Sequence, residues 1–526
     1  MKKLLLIISI TLNVLNGFAQ SRYLDEVFTD VKITSGVVYG QNYSYLLDPA
    51  NPFLESLTMD VYEPKDDWIS NRPLVIYLHT GSFLPILINK VPTGDMHDSA
   101  TVEMCKEFAR RGYVAISMDY RVGWNPAAIG ATGQDIRTGT LIQAVYRCLQ
   151  DVKTCVRYMK RSVIVDANPY GIDTNKIIIG GQGSGGYVAL GYATLKNNSQ
   201  LAIQSLIAST DQPLYGIFAN QPYILEALWG DINGFGGIDT LNHPNWPEYT
   251  SNVQFVFNMG GALGDSSWLE AGDLPMVCFH VPNDPFAPYS FGPVIVPTTG
   301  DFVVNVSGSY DVIRIADALG NNNCFNLPFN DPYTLRANAV NDGRYGLFPF
   351  VEPDPNVFIP SPFHGQAGPW EWWDSTALKT LAPFLLLTSA DAIAAYNSGL
   401  YTNPNMSKDK ALHYIDSIQG YLNPRIVACL NLDTMHINIG IPQVSFSNEI
   451  RISPNPASEF FTVQLENSAE QMQYIKLFDL TGRLVMEISN INSSEVKITR
   501  EDLSEGMYMV KIGLSDHDLN GKLLFQ

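Results

Sequence analysis

Residues 177–190 read IIIGGQGSGGYVAL. Three isoleucines in a row form a strand signal, the glycines allow a sharp reversal, and the run from Tyr187 to Leu190 opens a helix. A strand that turns this sharply into a helix holds the residue at the turn in a strained conformation, with its side chain raised above the sheet. Which residue stands at the turn decides what the chain can do, and Gly183 and Ser184 are the two candidates.

On both sides of this stretch the chain alternates strand and helix. PLVIYLH (73–79) is a continuous apolar run of the kind covered on both faces, whereas LTMDVYEP (57–64) alternates like a half-buried strand. A helix over SATVEMCKEFARR stops at Gly112 and is followed by the strand YVAISMDYR. The long helix TGTLIQAVYRCLQDVKTCVRYMKRS then leads into KIIIGG. The rhythm pauses at about 197–250, rich in Trp, Pro and Asn, which reads as an insertion or cap beside the sheet's carboxyl edge. It resumes with VQFVFNMGG, LPMVCFHVPND, a helix over SYDVIRIADALG and a last helix over KDKALHYIDSIQGYLNPRIVACL. This alternation predicts an α/β fold over about 21–440, a mostly parallel sheet with helices on both faces.

Of 526 residues, 46% are hydrophobic and 16% charged, the composition of a folded chain too long for one ordinary domain. The 52 Asp and Glu against 33 Lys and Arg give a formal charge of −19. That balance argues against nucleic acid and against an anionic membrane surface as partners. Lys2 and Lys3 precede an apolar run ending at Gly17-Phe18-Ala19, the three regions of a secretory signal peptide over 1–19. No later stretch has the length and apolarity of a transmembrane helix. Cys105, Cys148, Cys155, Cys278, Cys324 and Cys429 permit disulfides in an exported protein, but the spacing selects no pairing. Cys148 and Cys155 stand two helical turns apart, too far to bridge directly. His97 in GDMHDS has acidic neighbours but no paired-His spacing, and no C-x-x-C pattern occurs. GGQGSGG lacks the acidic residue some twenty positions on that a dinucleotide site requires. Neither metal nor cofactor is expected.

At about Ser445 the texture changes to short alternating runs, among them NEIRISPNPASEFFTVQLE, QYIKLFDLTGRLVMEIS and GMYMVKIGL, with Thr481-Gly482 as a hairpin turn. These predict a small all-β sandwich over 448–526. Pro454-Asn455-Pro456, FDLTGRLV, the series Leu503, Gly506, Tyr508 and the final GKLLF resemble the type A C-terminal sorting domain of type IX secretion. The resemblance implies export by that machinery, so that the protein is secreted from a Gram-negative bacterium or held on its outer-membrane surface.

Three segments upstream resemble the α/β-hydrolase family, in its carboxylesterase and lipase branch. YLHTGSF (77–83) stands where such esterases have a His-Gly-Gly-type loop whose backbone N–H groups bind an oxyanion, which implies that role for Gly81 and Ser82. GIDTNKIIIGGQGSGGYVAL (171–190) matches the pattern x-I-D-P-x-R-I-x-x-x-G-x-S-x-G-G. MVCFHVPNDPFAPY (276–289) matches the segment carrying the triad acid, which implies Asp284. On this pattern Gly183 takes the nucleophile's place, where it has no side chain to attack with and relaxes the turn. Taking Ser184 as the nucleophile shifts the register by one and puts Gln182 where a small residue is needed. In the unshifted register, which this favours, Ser184 gives its N–H to the oxyanion hole. The family's histidine finds no match in NDGRYGLFPF (341–350). His364, in SPFHGQAGPWEWW, is the first remaining candidate and His436 the second, while His79 and His280 read as structural.

Two readings follow. One is a secreted carboxylesterase-like hydrolase with Ser184 as nucleophile, His364 as base and Asp284 as the acid that orients it. The other keeps the fold but, with Gly183 at the elbow, carries out no acyl transfer and binds a ligand, such as an ester or other small molecule, or a partner at the cell surface. The aromatics Trp370, Trp372 and Trp373 are open to lining a cleft or to packing the cap against the sheet.

Overall fold

The computed structural model describes residues 21–45, 49–84, 89, 93–352, 365–385, 387–432, 450–465, 470–479, 484–500, 503–515 and 518–526. The signal peptide, the Thr481-Gly482 turn, His364 and His436 lie outside the described residues. The chain divides into two units, Met1–Ile437 and Asn438–Gln526.

The first unit is built on one eight-stranded sheet in the order β1-β2-β4-β3-β5-β6-β7-β10. Its strands are β1 (Val31–Ser44), β2 (Phe53–Pro64), β3 (Arg72–Leu78), β4 (Val114–Met118), β5 (Ile172–Gln182), β6 (Phe255–Met259), β7 (Met276–His280) and β10 (Leu347–Pro349). The hairpin β8 (Gly292–Ile295) and β9 (Phe302–Val306) forms a separate two-stranded sheet. β1, β2 and β4 pair antiparallel, and from β4 through β3, β5, β6 and β7 to β10 every pair is parallel.

β3 shows why its sequence is apolar throughout. Leu74, Ile76 and Leu78 face a cluster with α2 (Gly133–Val165), α3 (Ser184–Thr194) and α4 (Ser309–Ala318). Val75 and Tyr77 face the opposite cluster, with α1 (Ser99–Arg110) and α5 (Lys408–Leu430). Each large side chain buried here contributes about 1.5–3 kcal/mol. β2 departs from the half-buried expectation, because its polar positions are buried as well. Asp60 accepts hydrogen bonds from Ser35 Oγ and Gly36 N, and Glu63 pairs with Lys32 and Arg72. An inner strand places both faces under cover, and the alternation marked partnered polar groups instead of a solvent face.

The segment 197–250 is a run of short turns and 3-10 pieces, and its hydrogen bonds follow α2 and β1. Gln143 donates to the Tyr215 and Tyr223 carbonyls, Gln150 to those of Trp229 and Asp231, and Arg157 to those of Asn233 and Asn245. Asn245 exchanges hydrogen bonds with the Gln41 backbone. The insertion therefore lies alongside α2, from Asp135 in its first turn, which accepts from Ser209 N and the hydroxyls of Thr210 and Tyr223, to Arg157 near its end. The long polar side chains of α2 supplied partners that the Trp- and Asn-rich text did not reveal.

Cys148 and Cys155 are free and buried, whereas Cys324 and Cys429, 105 residues apart, form a disulfide that ties α5 to the main unit. A cross-link over so long a loop restricts the unfolded chain strongly. Replacing both of these cysteines by serine is expected to cost about 2–5 kcal/mol. Denaturant titration checks this, and an unchanged midpoint would refute it.

The second unit packs two antiparallel sheets. One has the order β11-β12-β15, from β11 (Ile450–Ser453), β12 (Phe460–Leu465) and β15 (Glu495–Thr499). The other has the order β14-β13-β16-β17, from β13 (Met472–Phe478), β14 (Leu484–Ser493), β16 (Gly506–Gly513) and β17 (Asp518–Phe525). Phe461, Val463, Ile475, Leu477, Val510, Ile512 and Phe525 fill the core between them. The Pro-Asn-Pro motif has a physical role here. Asn455 donates to the Lys522 carbonyl and accepts from Leu524 N, which clamps the last strand. No helix among the described residues is long and apolar enough to cross a membrane.

Candidate active site

β5 ends at Gln182, α3 starts at Ser184, and the residue between them is Gly183, at φ 52° and ψ −117°. That backbone conformation is sparsely populated by residues with a Cβ. Gly183 N donates to the Met259 carbonyl and Gly185 N to that of His79, so the turn is pinned from β6 and from β3. A Cβ on Gly185 would stand 2.3 Å from the Leu78 carbonyl oxygen, which is why helix and strand can pass so closely only without one.

Ser184 lies in the first turn of α3 and is buried. Its Oγ is 3.2 Å from the Tyr120 hydroxyl, which itself donates to the His79 carbonyl at 2.7 Å. With the Tyr120 proton so committed, Ser184 is the donor in the first contact. Burial, the leading cause, holds the Tyr120 pKa well above its ordinary value, so the phenol is no base for the serine. The Ser184 N–H, at the first helical position, has no intrahelical acceptor.

The loop after β3 carries His79, Thr80, Gly81 and Ser82. The His79 ring stacks on Tyr120 with 4.2 Å between centroids, and its Nδ1–H donates to the Thr80 carbonyl. Its Nε2 lies 3.6 Å from Asp119 Oδ1, too far for a hydrogen bond. Burial pulls the His79 pKa down, but the carboxylates of Asp119 and Asp98 outweigh it and leave it raised. Gly81 and Ser82 both have positive φ, and a Cβ on Gly81 would meet Gly94 Cα at 2.4 Å. Thr80 stands directly over the elbow. Its Oγ1 is 2.1 Å from the point where a Cβ on Gly183 would be.

Asp284 stands beyond the end of β7, with Oδ2 3.6 Å from where a Cβ on Gly260 would be. Its Oδ1 accepts from Phe286 N and Ala287 N. Burial pushes its pKa up to about 7 against those two hydrogen bonds. His280 is satisfied at both ring nitrogens: Nε2 donates to the Ala287 carbonyl and Nδ1 accepts from Ser309 Oγ. Burial lowers its pKa to about 4, so it is a neutral packing residue.

Two further acids join this region. Glu371 accepts from Gln182 Nε2 at 3.1 Å, and Gln182 Oε1 accepts from the Tyr77 hydroxyl at 3.0 Å. Burial first, then repulsion from Asp98 and Asp284, raises the Glu371 pKa to about 8. Asp98 accepts from Gly94 N and Asp95 N, and burial raises it to about 7 against the attraction of His79. Carboxyls poised this way are partly protonated at neutral pH and can donate as well as accept hydrogen bonds.

The structure thus gathers Gly183, Ser184, Gly81, Ser82 and Asp284 at one end of the parallel strands. Gly365, the chain neighbour of His364, lies against the Asp284 turn, since a Cβ on it would be 1.7 Å from the Asn283 carbonyl oxygen. Trp370 is buried beside Asp284 and Gly260, and Trp373 packs on Gly399, so these two rings fill the loop's interior. Among the described residues no group of three or more His, Cys, Asp or Glu could hold a metal ion. Sequence reasoning missed Tyr120, Asp98, Glu371 and the bridging role of Gln182. Only Glu371, an acid between Trp370 and Trp372, left a textual sign of burial.

Comparison with known proteins matches two stretches of the chain to described families. Residues 59–214 match the family described as BD-FAE, and residues 451–526 match the secretion system C-terminal sorting domain. Among curated proteins none matches. Solved structures of an esterase from the Planctomycetes species Thermogutta terrifontis are similar at low identity. The propionate-bound form is 17% identical, covering 49% of this chain and 74% of that one, with a TM-score of 0.27. The form phosphorylated by paraoxon is 18% identical over 50% and 74%, with a TM-score of 0.27. The native form is 17% identical over 51% and 76%, with a TM-score of 0.28.

Proposed function

We propose that this chain, an α/β-hydrolase-fold protein with a BD-FAE esterase domain and a C-terminal sorting domain of type IX secretion, holds an ester or related small molecule at an esterase-type site without transferring its acyl group. The sorting domain marks the chain for export by that machinery from a Gram-negative cell of the Bacteroidetes type, so the site works at the cell surface or beyond it.

One observation carries the reading: the residue with the strained dihedrals between β5 and α3 is Gly183. Acyl transfer through an elbow needs an oxygen or sulfur on that residue, beside a base. Ser184, one position on, directs its hydroxyl to Tyr120 inside the fold. To act with Asp284 and His364 it would have to break that bond and turn out of the sheet. In the binding role, the Ser184 N–H and the backbone of Gly81 and Ser82 serve as carbonyl-binding donors, and Asp284 is the retained acid of the family's site.

The purified chain is expected to release 4-nitrophenol from 4-nitrophenyl butyrate no faster than buffer, and Ser184→Ala to leave that rate unchanged. Turnover that disappears in Ser184→Ala would establish the esterase reading instead.

A further inference from the structure

Thr80 is the one position of the His79-Thr80-Gly81 loop that departs from the His-Gly-Gly pattern next to a second departure, Gly183. The two touch. A Cβ on residue 183 would lie 2.1 Å from Thr80 Oγ1, inside any permissible contact, and 3.0 Å from Thr80 Cβ, a tight one. The space into which an elbow side chain would project is therefore filled by a hydroxyl arriving from the opposite wall. Thr80 is half-buried, and among the described residues none hydrogen-bonds to its Oγ1. Toward the described residues its proton and lone pairs are thus uncommitted.

The surroundings define what such a hydroxyl can hold. Asp98, Asp284 and Glu371 border the site, and among the described residues that form it no lysine or arginine stands ready to pair with an anion. A metal cation would find no group of three His, Cys, Asp or Glu among the described residues to hold it, and burial keeps these three acids partly protonated. An uncharged carbonyl compound meets neither obstacle, and it offers an acceptor both to Thr80 Oγ1–H and to the Ser184 N–H.

We propose that Thr80 is the ligand-contacting residue that replaced the nucleophile: its hydroxyl stands in the place of the missing serine oxygen and donates to the carbonyl of an uncharged ester. This rests on the non-covalent reading of the site given above. The contact forms no covalent bond, because attack would require a base at Oγ1 to take its proton, and none of the described residues bonds there.

The test uses the full mature chain with ethyl butyrate as the probe, followed by ligand-observed NMR titration. Two variants separate hydroxyl from volume: Thr80→Val keeps the branched shape and loses the oxygen, and Thr80→Ser keeps the oxygen. Wild type and Thr80→Ser are expected to bind the ester and return it unchanged. Thr80→Val is expected to bind about tenfold more weakly at an unaltered melting temperature, the effect of one hydrogen bond. Equal affinity in Thr80→Val, or no binding by wild type, overturns the proposal. Conversion of the probe to butyrate and ethanol, abolished by Ser184→Ala, would instead overturn the non-catalytic reading on which it rests.

Discussion

Gly183→Ser is expected to destabilise the first unit by roughly 2–6 kcal/mol, and Thr80→Gly in the same chain to return about 1–3 kcal/mol of that loss. The cost has two sources. A residue with a Cβ is strained at φ 52° and ψ −117°, at about 1–3 kcal/mol. The new side chain also overlaps Thr80 Oγ1, where overpacking costs a further 1–3 kcal/mol or so. Only the second part is removed by Thr80→Gly, so the double variant stays below wild type but above Gly183→Ser alone. All eight tryptophans lie between Trp68 and Trp373, so tryptophan fluorescence in a denaturant titration reports the first unit alone. Should Gly183→Ser cost the same with threonine or glycine at position 80, Thr80 does not occupy that space.

Glu371→Gln is expected to stabilise the protein at pH 8 and above by an amount on the order of a few kcal/mol, and to make little difference near pH 4. The sign follows from proton binding. Glu371 titrates at about 8 in the folded chain against an ordinary value of 4.5, and Asp98 and Asp284 at about 7 against 3.8. Between about pH 4 and pH 8 the native state therefore binds more protons than the unfolded chain, and stability falls as pH rises through that window. Glutamine can still accept from Gln182 Nε2 while carrying no charge to desolvate. It also relieves Asp98 and Asp284 of a neighbouring negative charge, so their titration moves down as part of one coupled group. Fluorescence-detected denaturation at several pH values checks this, and a difference between variant and wild type that does not change with pH would contradict it.

Much of this could be read from the sequence, for reasons that differ from residue to residue. PLVIYLH announced an inner strand because both of its faces are covered, and the glycines of IIIGGQGSGG announced a turn because strand and helix meet there within contact distance. The place of Asp284 just beyond a strand could be read because the apolar run MVCFH stops at His280 and a Pro-Asn turn follows. LTMDVYEP misled because Asp60 and Glu63 are buried with partners, and alternation alone cannot tell a partnered acid from a solvated one. The site's other contacts join distant residues: Tyr120 and Ser184 are 64 apart, and Gln182 and Glu371 are 189 apart. Their pairing depends on the sheet order, which sets β4, β3 and β5 side by side, and on Glu371 coming to lie beside Gln182. Cys324 and Cys429 were likewise two of six cysteines until the fold placed the 3-10 turn Asn323–Phe325 and the end of α5 together.

Glycine at the elbow and a hydroxyl entering from the opposite loop form one arrangement, and the reading proposed for it is an esterase frame without the covalent chemistry. The most direct test is to expose the mature chain to a fluorophosphonate probe and locate any adduct by intact mass and peptide mapping. Unmodified protein, with Ser184 recovered free, is the predicted result. An adduct on Ser184, lost in Ser184→Ala, would contradict the account and make the protein a working serine hydrolase.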